Sequence, residues 1–167
     1  AVPANTEGEI HIRAPHVFQA YWQDETASRE AFADGWYKSG DIGRIDEAGY
    51  LYVFDRKKDM IVSGGENIYS AEVERVLSAH PDIAEVAVVG VPDDQWGEVV
   101  CAVVVPAGDA RPTLEDVQEF ARADLARYKL PRALILQDAQ LPRNATGKLL
   151  KHIIRETSAA GVVRRQT

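Results

Sequence analysis

The residues with the clearest chemical potential lie in "LPRNATGKLLK", 141–151, where a Gly-Lys pair, Gly147-Lys148, follows a proline by five residues and opens a helix-like stretch. Such a lysine can bind phosphate, act in catalysis or simply carry surface charge. A phosphate-binding P-loop requires Gly-x4-Gly-Lys-Ser/Thr after a strand. Here Pro142 stands in place of the first glycine and Leu149 in place of the hydroxyl residue. The loop therefore cannot wrap its amides around a diphosphate, and it lacks the magnesium-binding hydroxyl. The single cysteine, Cys101, sits in the apolar run "VVCAVVV" and reads as a small core side chain. His11, His16, His80 and His152 show no metal-ligand spacing.

Composition narrows the function further. Hydrophobic residues make up 46% and charged residues 27%, which fits a globular chain. The formal net charge of −7 argues against nucleic acid as the main partner. No stretch approaches the roughly 18 apolar residues of a membrane span, and no signal peptide is visible. A reducing cytoplasm is the expected setting. The chain enters "EIHI" almost at once, as though cut from inside a longer protein.

Two units must position these residues. Residues 1–56 alternate short strand-like pieces with glycines at 40, 43 and 49 that read as turns, interrupted by the polar "QDETASREAF". This unit reads as incomplete antiparallel β structure. After the charge cluster "DRKKD", residues 57–158 alternate strands and helices and predict a sheet covered by helices. "MIVSGGENIYS" reads as two short strands around a glycine turn. Ser70 reads as the cap of a helix over 71–80 with Val73, Val76 and Leu77 inward. "IAEVAVVGVP" and "EVVCAVVVP" read as buried strands. A capping box at Thr113 and Asp116 opens a helix running to about Arg127. "RALILQ" is a strand, 148–158 a last helix and 159–167 a frayed tail.

The motifs occur in a telling order: "YKSGDIGR", "DRKKDMIVSGGENIYSAEVE", "VGVPDDQWGEVVCAVVV", "RYKLP", then "PRNATGKLLK". In this order and spacing the chain resembles the carboxyl-terminal part of the adenylate-forming (AMP-binding) acyl-CoA synthetases, most of all the fatty acyl and aryl CoA ligases. The likeness runs from "EGEIHIR" to "TGKLLK". It implies an α+β chain, with a β-rich fragment of a large AMP-binding domain at 1–56 and a small lid domain, helices on a mixed sheet, at 57–158.

The resemblance also implies a reaction. A carboxylate attacks the α-phosphate of ATP and pyrophosphate leaves; a coenzyme A thiol then attacks the acyl-adenylate and AMP leaves. Lys148 matches the lysine that bridges substrate carboxylate and α-phosphate. Asp41 matches the acceptor for the ribose hydroxyls, since a carboxylate offers two oxygens to a vicinal diol; a turn-forming Asp is the other reading. Arg56 matches an arginine at the same ribose, or a boundary ion pair. Lys58 matches the hinge of domain alternation. Gly64 and Gly65 match the loop lining the pantetheine tunnel, or a plain hairpin turn. Trp96, Tyr128 and Arg132 fall where related ligases contact the CoA nucleotide, though Trp96 also reads as half-buried core. Lys57 and Lys129 read as solvated charges. Acetylation at Lys148 would remove its charge.

The phosphate loop, the acyl pocket and the glutamate expected to hold Mg2+ have no counterpart in this sequence. The chain alone is therefore expected to bind nucleotide poorly and catalyse nothing. The remaining readings are a stand-alone interaction lid and a ligase that loads a carrier-protein thiol. The incomplete β unit would favour a partner or self-association.

Overall fold

Strand and helix propensities resolve into two compact units, Ala1–Lys58 and Asp59–Thr167, in a computed structural model that describes residues 2–161. In the first, β1 (Gly8–Ile12), α1 (Glu25–Ala31), β2 (Phe32–Ala33), β3 (Trp36–Ile45) and β4 (Leu51–Arg56) follow one another. β3 is the hub, pairing antiparallel with β1, β2 and β4. The polar interruption holds α1, whose N-terminus is capped by the Asp24 carboxylate accepting from the Ala27 amide at 2.8 Å.

Gly49 does occupy the β3–β4 turn, at φ 88°. Gly40 and Gly43 do not mark turns, as the sequence suggested; both lie within β3. A Cβ on Gly43 would come within 2.3 Å of the Tyr52 carbonyl oxygen, so glycine is needed there for β4 to approach. The only buried apolar side chain described in this unit is Ile42. Leu51, Tyr52 and Val53 of β4 stay exposed. Phe18, Tyr21, Phe32 and Tyr37 form a small aromatic cluster with centroids 4.9–5.6 Å apart.

The second unit contains β5 (Ile61–Ser63), β6 (Glu66–Ile68), α2 (Ser70–Leu77), β7 (Ile83–Asp93), β8 (Gly97–Pro106), α3 (Leu114–Ala121), a 3-10 turn at Arg127–Lys129, β9 (Ala133–Leu136) and α4 (Lys151–Gly161). The sheet runs β6-β5-β8-β7 antiparallel, with β9 parallel to β8, so it is mixed. Both apolar runs are strands because both of their faces are covered. Val88, Val100, Ala102 and Val104 face Val73, Val76 and Leu77 of α2 and Val117 and Ala121 of α3. Ala87, Val89, Val91, Cys101 and Val103 share the other core with Ile154 of α4 and Leu141. The result is three layers, and the chain is α+β.

Helix boundaries depart from the sequence reading in three places. Ser70 is the first residue of α2 and not its cap; its side chain is fully buried and accepts from Lys151 Nζ at 2.7 Å. The capping box at Thr113 and Asp116 is present, but α3 ends at Ala121 and not near Arg127. The last helix begins at Lys151, three residues late, and its backbone continues to Gly161; the rest of the expected tail lies outside the described residues. Among the described residues no helix is long and apolar enough to cross a membrane.

Cys101 is fully buried, and burial pushes its thiol up to about 12 from 9.0. We expect iodoacetamide to leave the folded chain unlabelled at neutral pH and to label it in guanidinium, as mass spectrometry would read; labelling of the folded chain would contradict this packing. The raised value has a sign for stability as well. Below pH 9 the thiol is neutral in both states, whereas between 9 and about 12 only the unfolded chain ionises, so stability falls through that window.

Candidate functional site

Lys148 projects from a tight turn. Asn144 N donates to Lys148 O at 2.9 Å, Gly147 N donates to Asn144 O at 2.9 Å, and Arg143 and Leu149 form an antiparallel bridge. Inside this turn Asn144 Oδ1 accepts from Thr146 N at 3.0 Å, Thr146 Oγ1 at 2.8 Å and Lys148 N at 2.9 Å. Gly147 takes the left-handed φ of 82° that the turn requires. Lys148 therefore does not open a helix. The Asn side chain has captured amides that a helix would have used. Lys148 itself is exposed.

The turn is fastened at both ends. On the entry side Leu141 is buried in the core, and Arg143 reaches Gly147 O and Glu85 Oε2 of β7, each at 2.9 Å. On the exit side Leu149 packs against the same core, and Lys151 Nζ pairs with Glu74 Oε1 of α2 at 2.8 Å. Lys151 was not singled out by the sequence, because Glu74 and Ser70 lie some eighty positions away and no local pattern joins them.

Asp41 and Arg56 come together within the first unit. They are direct cross-strand partners on β3 and β4, with Arg56 Nε 2.8 Å from Asp41 Oδ1. Asp41 is thus a strand residue and not a turn residue. A register shift between Ile42 and Gly43 bends the ladder beside it, the kind of bulge that re-aims side chains. Both side chains remain partly open, at 31% and 45% exposure, so a ligand can reach the pair. Next along the chain, Lys57 bonds Glu9 Oε2 at 2.9 Å, which holds the Glu9 carboxyl below its usual range. Lys58 is exposed in the turn after β4, and the boundary between the two units falls directly after it.

In the second unit Gly64 and Gly65 form the two-residue turn of the β5–β6 hairpin, at φ 59° and 88°. Gly64 N donates to Trp96 O at 2.9 Å, and a Cβ on Gly64 would come within 2.6 Å of the Trp96 ring. The Arg132 guanidinium lies 4.5 Å from that ring's centroid. Gly64, Trp96 and Arg132 are therefore one cluster, and Trp96 is half-buried within it. The cluster borders an open groove of about 1500 Å3 that Arg111, Arg122 and Arg127 also line. Tyr128 stands on the 3-10 turn, exposed, with the Lys129 ammonium 5.7 Å from its ring. Lys129 is not the solvated charge expected: it is largely buried and paired with both oxygens of Glu72 at 2.6 and 2.8 Å. Among the described residues no group of three or more acidic, His or Cys side chains is placed to hold a metal ion.

The chain is similar in sequence and fold to known proteins. Residues 72–148 match the family described as the AMP-binding enzyme C-terminal domain. Over 156 residues the chain is 48% identical to the long-chain-fatty-acid–CoA ligase FadD13 of Mycobacterium tuberculosis, covering 93% of this chain and 31% of that protein. Over 155 residues it is 49% identical to the 2-succinylbenzoate–CoA ligase of Bacillus cereus, covering 93% and 32%. Among solved structures, o-succinylbenzoate CoA synthetase from Bacillus subtilis, in complex with its acyl-adenylate intermediate, superposes with a TM-score of 0.84 at 41% identity, covering 92% of this chain and 31% of that one. The chain thus spans about a third of the length of these relatives. With its order of motifs, its α+β architecture and these likenesses, the chain belongs to the adenylate-forming (AMP-binding) acyl-CoA synthetase superfamily and corresponds to the C-terminal portion of its CoA ligases.

Proposed function

We propose that this chain is the C-terminal part of an ATP-dependent, AMP-forming acyl-CoA synthetase, an acid–thiol ligase. The observation that carries the reading is Lys148, held exposed at the tip of a fastened turn. In the first half-reaction a substrate carboxylate oxygen attacks the α-phosphate of ATP and the bond to pyrophosphate breaks. Negative charge gathers on the phosphate and carboxylate oxygens, and Lys148 neutralises it. At 4 Å and an effective dielectric of 20, one such contact is worth about 4 kcal/mol before desolvation.

Asp41 takes the ribose hydroxyls as an acceptor, with Arg56 orienting its carboxylate and facing the same sugar. Lys58 serves as the hinge. Its exposure supports this role, since solvated backbone can change dihedrals without breaking a core. In the second half-reaction the CoA thiol loses its proton and attacks the acyl carbonyl, and AMP leaves. Gly64 and Gly65 leave room for pantetheine, while Trp96, Arg132 and Tyr128 receive the CoA nucleotide. Arg132 already covers a face of Trp96, so the base stacks on the guanidinium or displaces it. Fatty and aryl acids, the classes in the relatives' names, are the proposed substrates. The exposed Leu51, Tyr52 and Val53 of β4 favour a docking face on this unit, which a stand-alone lid would also need.

The test is acid-dependent ATP–pyrophosphate exchange, run with a panel of fatty and aryl acids. We expect exchange from the complete polypeptide carrying this sequence, and neither exchange nor micromolar ATP binding from the 167 residues alone. Absence of exchange with every acid, or thioester formed by the chain alone, would contradict the reading.

A further inference from the structure

We infer that Asn144 is a positioning residue for Lys148, fixing the direction of the lysine through its side-chain oxygen; this rests on the proposed role of Lys148 in adenylation. One oxygen, Asn144 Oδ1, accepts from Thr146 N, Thr146 Oγ1 and Lys148 N, all within 3.0 Å. The last of these holds the backbone of the lysine itself. The same residue's backbone closes the turn through Lys148 O and Gly147 N. The described hydrogen bonds within residues 144–148 thus all involve Asn144, while Arg143 beside it holds Gly147 O and Glu85, and Leu150 N donates to Pro142 O at 2.9 Å at the base of the turn.

An exposed five-residue turn is too short to have a core of its own. Its order comes from polar bonds, and three of them end on one atom. The bonds also leave the Lys148 side chain unspent, because Asn144 engages the amide and not the ammonium. A lysine that must meet developing charge within a few tenths of an ångström gains from a backbone that does not wander, and a misplacement of 1 Å can cost about 10²-fold in rate. Arg143–Glu85 and Lys151–Glu74 fasten the ends of the segment to β7 and α2, and Asn144 sets the shape between them.

Two measurements test this together. In the 167-residue chain, Asn144→Ala should speed hydrogen exchange at the Thr146 and Lys148 amides by roughly tenfold, and Asn144→Asp, which keeps the acceptor, should restore protection. In the complete synthetase, Asn144→Ala should slow adenylation about 10- to 100-fold while thioester formation from supplied acyl-adenylate is unchanged. Unchanged exchange, failure of Asp to restore it, or equal loss in both half-reactions would overturn the assignment. Lys148→Ala run beside it separates the two ideas. If that variant still adenylates, the role of Lys148 is what fails, and the exchange data alone decide whether Asn144 sets the turn.

Discussion

Replacing Lys151 with methionine should destabilise the second unit by about 3 kcal/mol. Its ammonium lies 2.8 Å from Glu74 Oε1 and 2.7 Å from Ser70 Oγ, with side-chain exposures of 12% for the lysine and 19% for the glutamate. Glu74 Oε1 also accepts from the Val88 amide on β7 at 2.8 Å. Methionine fills much the same volume but leaves a carboxylate in a poorly hydrated place, and breaking a buried pair from one side costs more than the pair contributes. Because α2 and α4 cover opposite faces of the sheet, this network links both layers to the strand. Adding Glu74→Gln should recover part of the loss, since the amide oxygen still accepts from Val88 while the stranded charge is gone. Urea unfolding would read both effects as midpoint shifts at constant slope. An unchanged midpoint in Lys151→Met would mean that water, and not Lys151, satisfies Glu74.

What the sequence made legible was local. The runs around Val88 and Val103 declare strands covered on both sides because their central positions, 86–91 and 99–105, carry no charged or polar side chain and valine dominates them. The Thr113–Asp116 box needs only residues three apart, and it formed as read. What stayed hidden depended on partners distant in the chain. Ser70 reads as a cap until Lys151, 81 positions on, claims its hydroxyl. Lys129 reads as solvated until Glu72 arrives from 57 positions away. Gly43 reads as a turn until β4 comes within reach of where its Cβ would be.

The candidate site divides in the same way. Lys148 stood out through the order of motifs around it, yet its placement in a turn rather than a helix followed from a side-chain competition at Asn144 that helix periodicity does not register. Asp41 and Arg56 are fifteen positions apart, and their pairing becomes visible only with the β3–β4 register. The Trp96–Arg132 stack likewise needs β8 and β9 side by side.

Removing the Lys148 ammonium should have the largest effect on function. In the complete synthetase, Lys148→Ala should slow adenylation by roughly 10²-fold or more, the scale at which deletion of a single preorganised donor at a developing oxyanion is felt. Fold and stability should hardly change, because the side chain is exposed and the turn is kept by Asn144 and not by the lysine's own charge. The thioester step should survive, since in the proposed reaction its carbonyl is already activated by the adenylate and its thiol is proposed to enter past Gly64 and Gly65, away from Lys148. Lys148→Arg should not rescue fully: the charge is kept, but a planar fork replaces a compact ammonium.

The most direct measurement is the ratio of the two half-reaction rates, adenylation followed by pyrophosphate release and thioester formation followed from supplied acyl-adenylate, in wild-type and Lys148→Ala synthetase. A collapse of the first rate with the second intact is the expected result. Equal loss in both, or no loss in either, would contradict the assignment of Lys148 as a lysine that acts in adenylation alone.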